Sequence, residues 1–234
     1  MLTIFILRKR RQIIVSSRKR KSKIYRCALA ISGAAVFILI VCLLIAFVYQ
    51  KKQEKQERKE KLLPQITIQT KLLEKNEYSR PGIPLKKVKG IVVHYTANPG
   101  TDAMDNRNYF NNLPKTNKSK QQKTYASSHF VIGLEGQIVQ CIPLEEMAYA
   151  SNDRNSDTIS IECCHPDKSG KFTEATTKAL TELATYLCIQ YDLYSEDIIR
   201  HYDVTGKLCP LYFVKHEDEW EKWKKSVEGK LTLS

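Results

Sequence analysis

Acidic side chains are missing from the first 26 positions, which hold Arg8, Lys9, Arg10, Arg11, Arg18, Lys19, Arg20, Lys21, Lys23 and Arg26. Directly afterwards, charge of either sign is missing: residues 27–49 read CALAISGAAVFILIVCLLIAFVY. That second absence argues against a buried core helix, which is rarely apolar on every side for so long. At ~1.5 Å per helical residue the run is long enough for a ~30 Å hydrocarbon core. A good small-residue cleavage site is lacking too, since Ala46-Phe47-Val48 is a poor one, and the apolar run is too long for a signal peptide. The expectation is an uncleaved transmembrane helix. The sequence contains no His-Glu-x-x-His, so the helical zinc-peptidase signature is absent. It has no internal repeat.

What is present begins with charge. The chain has 234 residues and a formal net charge of +13, enough for one domain plus appendages. After the apolar run, residues 51–61 mix Lys51, Lys52, Lys55, Arg58, Lys59 and Lys61 with Glu54, Glu57 and Glu60. The stronger basic excess stays on the cytoplasmic side, which puts the N-terminus inside and everything after Tyr49 outside. A basic tail attached to a span sets topology and touches anionic lipid, so no nucleic-acid partner is expected. Expected localisation is therefore the cell membrane, single-pass, with the C-terminal domain extracellular.

Residues 50–63 continue as a polar stalk interrupted by Pro64, and Arg80-Pro81-Gly82-Ile83-Pro84 is a loop signal at the entry to a globular domain. Between them Ile66–Lys75 carries some apolar character and fits a strand, a short amphipathic helix or a membrane-surface contact. Fully extended, residues 64–84 reach ~60 Å at about 3.3 Å per residue. The organisation expected is thus a basic cytoplasmic tail (1–26), an anchor (27–49), a stalk and linker (50–80) and a domain (81–234).

Within the domain, Gly90–Thr96 reads as a buried strand, followed by a helix capped by Thr101 and running to about Leu113. Lys115–Lys123 reads as a mobile basic loop. Ser127–Leu134 and Gln137–Ile142 read as a hairpin around Glu135-Gly136, and Thr158–Cys164 as a further strand. Thr173 caps a helix whose apolar face is Leu180, Leu183, Ala184, Leu187, Cys188 and Tyr191. A short strand, Ile198–His201, and a final helix, Val214–Val227, complete an α/β domain. Cys163 and Cys164 adjoin on a strand and so point to opposite faces, and simple burial is expected of the cysteines other than Cys209.

The chemistry lies in four pieces. Val92-Val93-His94-Tyr95-Thr96 ends a strand in a histidine; Ser127-Ser128-His129-Phe130-Val131-Ile132 carries another; Asp157-Thr158-Ile159-Ser160-Ile161-Glu162 ends in a carboxylate; His201 to Pro210 holds an imidazole, Lys207 and Cys209. Imidazole and thiolate suit zinc, and three protein ligands leave a fourth tetrahedral position open, as a catalytic site needs. The spacing does not suit a closed structural site with paired ligands. Singly, His94 also fits a satisfied strand-end histidine, Cys209 a small buried thiol and Lys207 an exposed loop cation. Glu162 shares a strand face with Ser160 and Cys164, and a carboxylate there is costly to bury unless it is paired or used.

These four pieces, in this order over roughly half the chain, resemble the zinc-dependent N-acetylmuramoyl-L-alanine amidases, the superfamily of phage lysozyme-type amidases, bacterial autolysins and peptidoglycan recognition proteins. The resemblance implies a central mixed β-sheet flanked by helices, here preceded by one N-terminal transmembrane helix. It implies a Zn2+ cofactor held by His94, His201 and Cys209, with Glu162 as general base and Lys207 stabilising the oxyanion. It places His129 near the cleft as a substrate contact, with tautomer support or core packing as the other roles open to that residue. Asp203 is either a partner that orients a ligand imidazole or the cap of the following turn. His165 and His216 lie outside the motifs and read as surface or stalk-side residues. The chain departs from relatives at Ser128, where some have tyrosine, at Tyr149-Ala150, where many have Trp-His, and at Leu211, where glycine is common. The implied function is cleavage of the bond between N-acetylmuramic acid and L-alanine in peptidoglycan of a Gram-positive-type envelope. The alternatives are a peptidoglycan-binding module without catalysis and another zinc hydrolase on the same ligands.

Overall fold

A computed structural model describes residues 20, 22–23, 37–54, 56–57, 60 and 63–232, and divides the chain after residue 58 into two units. In the first, residues 37–54 are helical, and the apolar side chains from Phe37 to Tyr49 are mostly exposed. Its last continuously described residues are Lys51-Lys52-Gln53-Glu54, and no helix among the described residues is long and apolar enough to cross a membrane. Residues 27–36 of the expected span lie outside the described residues, as does most of the basic tail.

The second unit is built on one six-stranded sheet. Its strands are β1 (Ile68–Thr70), β2 (Gly90–Tyr95), β3 (Phe130–Ile132), β4 (Ile138–Gln140), β5 (Thr158–Cys163) and β6 (Ile198–Arg200), in the order β1-β4-β3-β5-β2-β6. Only β3 and β4 pair antiparallel, so the sheet is mixed, as expected. β2 and β5 are central and covered on both faces, which is why Gly90-Ile91-Val92-Val93 and Ile159-Ser160-Ile161 are so poor in charge. The β3–β4 turn closes with Gly133 N–H donating to Gln137 O at 2.9 Å, and Gly136 takes φ +79°, a value glycine adopts without penalty.

Five helices accompany the sheet: α1 (Ala103–Thr116), α2 (Glu174–Tyr191), α3 (His201–Thr205), α4 (Leu211–Lys215) and α5 (Glu217–Thr232). Thr173 caps α2 as expected, its hydroxyl accepting from Thr176 N–H at 3.0 Å. Leu180, Leu183, Ala184, Leu187 and Cys188 then face Ile91, Val93, Phe130, Ile132, Ile159 and Ile161, and Trp220, Trp223 and Val227 of α5 complete that layer. On the other face, Ala103 and Phe110 of α1 cover Val131, Val139, Cys141 and Cys164, together with Leu73. The result is a helix–sheet–helix sandwich.

Several boundaries differ from the sequence expectation. Ile66–Lys75 belongs to the sheet: β1 runs parallel to β4, and Leu73 is buried, so the globular unit includes residues expected to be linker. Asp102, not Thr101, precedes α1; Asp105 accepts from its N–H at 2.9 Å, while the Thr101 hydroxyl donates to Asn98 O. Within Lys115–Lys123, Lys115 and Thr116 close α1 and Asn117–Ser119 form a 3-10 turn around buried Asn117, whose side-chain amide nitrogen donates to Thr124 O and whose side-chain oxygen accepts from Thr124 N–H. The final helix is two helices, broken at His216, because Pro210 starts the first and the acidic run Glu217-Asp218-Glu219 favours a second N-terminus. The β6 strand ends at Arg200, and His201 opens α3. Cys141, Cys163, Cys164 and Cys188 are free and buried, with Cys163 and Cys164 on opposite sides of the sheet as their adjacency requires.

Candidate metal centre and cleft

β2, β5 and β6 run parallel, so their carboxyl ends open on one side of the sheet, where open α/β sheets place their ligands. His94 and Glu162 are register partners near the ends of β2 and β5, and they project from the face opposite Ile91, Val93, Ile159 and Ile161. β6 delivers His201 one residue past its end. That junction is held by Arg200, whose buried guanidinium binds Asp203 at 2.8 Å and Phe213 O at 3.2 Å. Asp203 also accepts from Arg200 N–H at 2.8 Å, so it caps α3 and braces Arg200; its carboxylate serves the turn.

The chain returns through Gly206, left-handed at φ +75°, to bring Cys209 beside the two histidines. Tyr202 N–H donates to Cys209 O at 2.9 Å and ties the ends of this loop together. One donor atom each from His94, His201 and Cys209 lie within 4.8 Å of one another, all three residues being buried. Cys209 Sγ is 3.8 Å from His94 Nδ1, and the two imidazole centroids are 4.7 Å apart. Each ring also has a polar neighbour at Nε2: His94 Nε2 is 3.1 Å from Ser151 Oγ, and His201 Nε2 is 3.0 Å from Asn152 Oδ1. Two imidazoles and a thiol, converging and with a polar neighbour at each Nε2, fit a zinc ion.

Electrostatics support the same use. Burial lowers the pKa of His94 well below the ordinary imidazole value, and His201 and Lys207 add to the effect. Burial and Lys207 lower His201 as well. Both shifts favour the neutral ring, the form that ligates metal. Burial, assisted by Glu162, pushes the Cys209 thiol up to about 12, so a bound cation is what would favour its thiolate. Glu162 sits half-buried in the cleft floor with Oε2 sealed from solvent and without a hydrogen-bond partner. Burial pushes its pKa up to about 8, and the Lys207 ammonium opposes the rise. Lys207 itself is exposed on the cleft rim.

His94, Glu162, His201, Lys207 and Cys209 thus line one cleft, together with Tyr95, Phe110, Tyr125, Tyr149 and Asn152. His129 does not. Its ring is buried beneath the cleft, with Nδ1 accepting from Ser160 N–H at 3.0 Å and Nε2 donating to Glu146 O at 2.9 Å. Both nitrogens are committed and burial lowers its pKa to about 4, so the residue ties β3 to β5 and the 143–147 loop and packs where core support is its role. Ser128 joins the same network through Ser160 O. His165 is likewise buried, packed on Tyr95 at 5.1 Å between centroids, whereas His216 is exposed. Sequence reasoning missed Ser151, Asn152 and Asn155; a polar string is visible there, but no spacing ties it to histidines about 50 positions away on either side.

Known proteins resemble this chain. The N-acetylmuramoyl-L-alanine amidase family matches residues 84–211. N-acetylmuramoyl-L-alanine amidase CwlL of Bacillus licheniformis is 37% identical over 168 residues, covering 67% of this chain and 45% of its own length. N-acetylmuramoyl-L-alanine amidase BlyA of Bacillus subtilis (strain 168) is 33% identical over 178 residues, covering 67% and 46%. The chain therefore spans about half the length of the curated relatives it matches. Among solved structures, PlyL superposes with a TM-score of 0.57 at 26% identity, covering 70% of this chain and 98% of that one. The catalytic domain of XlyA superposes with a TM-score of 0.57 at 27% identity, covering 69% and 99%. The histidines, thiol and carboxylate gathered at the ends of β2, β5 and β6 lie in the matched span, and the chain belongs to the N-acetylmuramoyl-L-alanine amidase family.

Proposed function

We propose that this protein is a zinc-dependent peptidoglycan amidase that cleaves the amide between N-acetylmuramic acid and the L-alanine of the stem peptide. The observation that carries the reading is the convergence of His94, His201 and Cys209 donor atoms within 4.8 Å, beside the unpartnered Glu162 carboxyl. His94, His201 and Cys209 would hold the metal, and zinc there supplies Lewis acidity toward the scissile carbonyl and the attacking water. Glu162 accepts the proton of that water and returns it to the departing alanine nitrogen. A pKa near the working pH is the optimum for such a shuttle. Lys207, exposed on the rim, places an ammonium where negative charge develops on the carbonyl oxygen. Tyr125 and Tyr149 form an aromatic wall for the substrate.

The reading extends to location. Residues 27–49 act as a single membrane span, with the basic tail cytoplasmic and the cleft outside, facing the wall of a Gram-positive-type envelope. Its support is the uncharged run and the basic excess before it. Incubating zinc-loaded protein with purified peptidoglycan should release new α-amino groups belonging to alanine. Binding to the polymer without amine release would favour the recognition-module alternative.

A further inference from the structure

His94 lies near the end of β2 and His201 opens α3, but the Nε2 atoms of both rings meet adjacent residues of one turn. Ser151 Oγ is 3.1 Å from His94 Nε2, and Asn152 Oδ1 is 3.0 Å from His201 Nε2. We propose that the 151–155 turn positions both imidazoles, and that Asn152 is the member that dictates the tautomer, forcing the His201 proton onto Nε2 and leaving Nδ1 free for a metal ion. This rests on the zinc reading only for the identity of the metal.

The chemistry of the two contacts differs. An amide oxygen only accepts, so the Asn152 contact requires N–H at His201 Nε2. A hydroxyl donates or accepts, so Ser151 tolerates either tautomer of His94 and fixes only the ring's orientation. Were the Asn152 amide turned to present nitrogen, the proton would sit on Nδ1 and block it, so the two arrangements have opposite consequences.

The turn is braced independently of the histidines. Asn155 Oδ1 accepts from Ala150 N–H at 3.0 Å and Ser151 N–H at 2.6 Å, and Arg154 N–H donates to Ser151 O at 3.0 Å. The Arg154 guanidinium is in turn held by Asp157 at 2.7 Å. Asn152 has φ +50°, in the left-handed region where asparagine is among the few non-glycine residues tolerated. The position thus selects asparagine twice, once for backbone shape and once for a short, accepting side chain.

Two readouts on the full-length chain test this. In zinc-free protein labelled with 15N-histidine, nuclear magnetic resonance should find neutral His201 protonated at Nε2, and Asn152→Gly should redistribute the proton toward Nδ1. Glycine keeps the left-handed backbone, so this variant removes the acceptor without straining the turn. Chelator competition should show zinc held about 10–100-fold more weakly by Asn152→Gly, the usual cost of losing such a partner, with a smaller loss for Ser151→Ala. Asn152→Asp retains an acceptor and should restore both tautomer and affinity. A wild-type His201 protonated at Nδ1, or wild-type affinity in Asn152→Gly, overturns the proposal. A wild-type protein that shows the Nε2 proton but takes up no zinc supports the tautomer assignment and contradicts the zinc reading instead.

Discussion

Lys207 and Glu162 share the cleft but carry different burdens. The lysine is solvent-exposed, while the carboxyl is half-buried, with Oε2 sealed from solvent and without a partner. In the proposed reaction, removing the ammonium would leave the metal to stabilise the oxyanion, whereas removing the carboxylate would take away the group that moves the proton. Lys207→Ala should therefore lower kcat with zinc content unchanged, but by less than the ~10²–10⁴-fold typical of losing a general base. A Lys207→Ala loss equal to that of Glu162→Gln would make the ammonium as important as the proton shuttle and contradict this ranking. Five of the six residues expected at the site line one cleft, and each carries a local signature in the sequence: a strand-end histidine, a carboxylate in a β-branched strand, a Lys-x-Cys-Pro turn. His129 was misplaced because a strand histidine looks the same whether it faces a cleft or a neighbouring hydroxyl. Its commitment to Ser160 and Glu146 O is decided by contacts 31 and 17 residues away.

At the scale of elements, the stretch before the family match proves structural. Arg80 makes two hydrogen bonds to Glu146, each 2.8 Å, and a third to Leu73 O at 2.7 Å, pinning the β1 segment to the sheet. Both side chains are largely buried, so Arg80→Ala should cost about 1.5–3 kcal/mol of stability, the range for charged hydrogen bonds. The hydrogen bond from Arg80 holds the Glu146 pKa below its ordinary value of 4.5, against the opposing effect of burial. A carboxylate depressed on folding adds stability above its unfolded pKa and loses it as pH falls through the folded one. The stability gap between wild type and Arg80→Ala should therefore shrink on acidification below about 4.5, read by denaturant melts across pH. A gap that widens in acid would contradict the pairing. Deleting the chain through residue 79 should also destabilise the domain and speed amide exchange in β4, since Lys71 N–H and Leu73 N–H bond Gln140 O and Cys141 O. Unchanged exchange would make β1 ornamental. The sequence left this segment open because three residues of strand carry too short a pattern, and their partner lies about 70 positions downstream. Helix α2 and strands β2 and β5 were legible for the converse reason, long periodic runs whose burial follows from their own composition.

The whole molecule joins a basic tail, an apolar run and a domain of the amidase family. Charge alone sets its expected orientation: ten cations and no acid precede residue 27, against a mixed segment after residue 50. Protease added to intact, wall-stripped cells should digest the domain and spare a tag on the N-terminus. The reverse pattern would contradict both the topology and access to peptidoglycan. The chemistry itself is tested most directly by mass analysis of one defined muropeptide incubated with zinc-loaded full-length protein and with Glu162→Gln. Two products are expected from wild type, the intact N-acetylmuramic acid sugar with its lactyl carboxylate and a stem peptide beginning at free L-alanine. Glu162→Gln should release them about 10²–10⁴-fold more slowly at equal zinc content. Cleavage at another bond, or wild-type rates from Glu162→Gln, would contradict the proposed reaction.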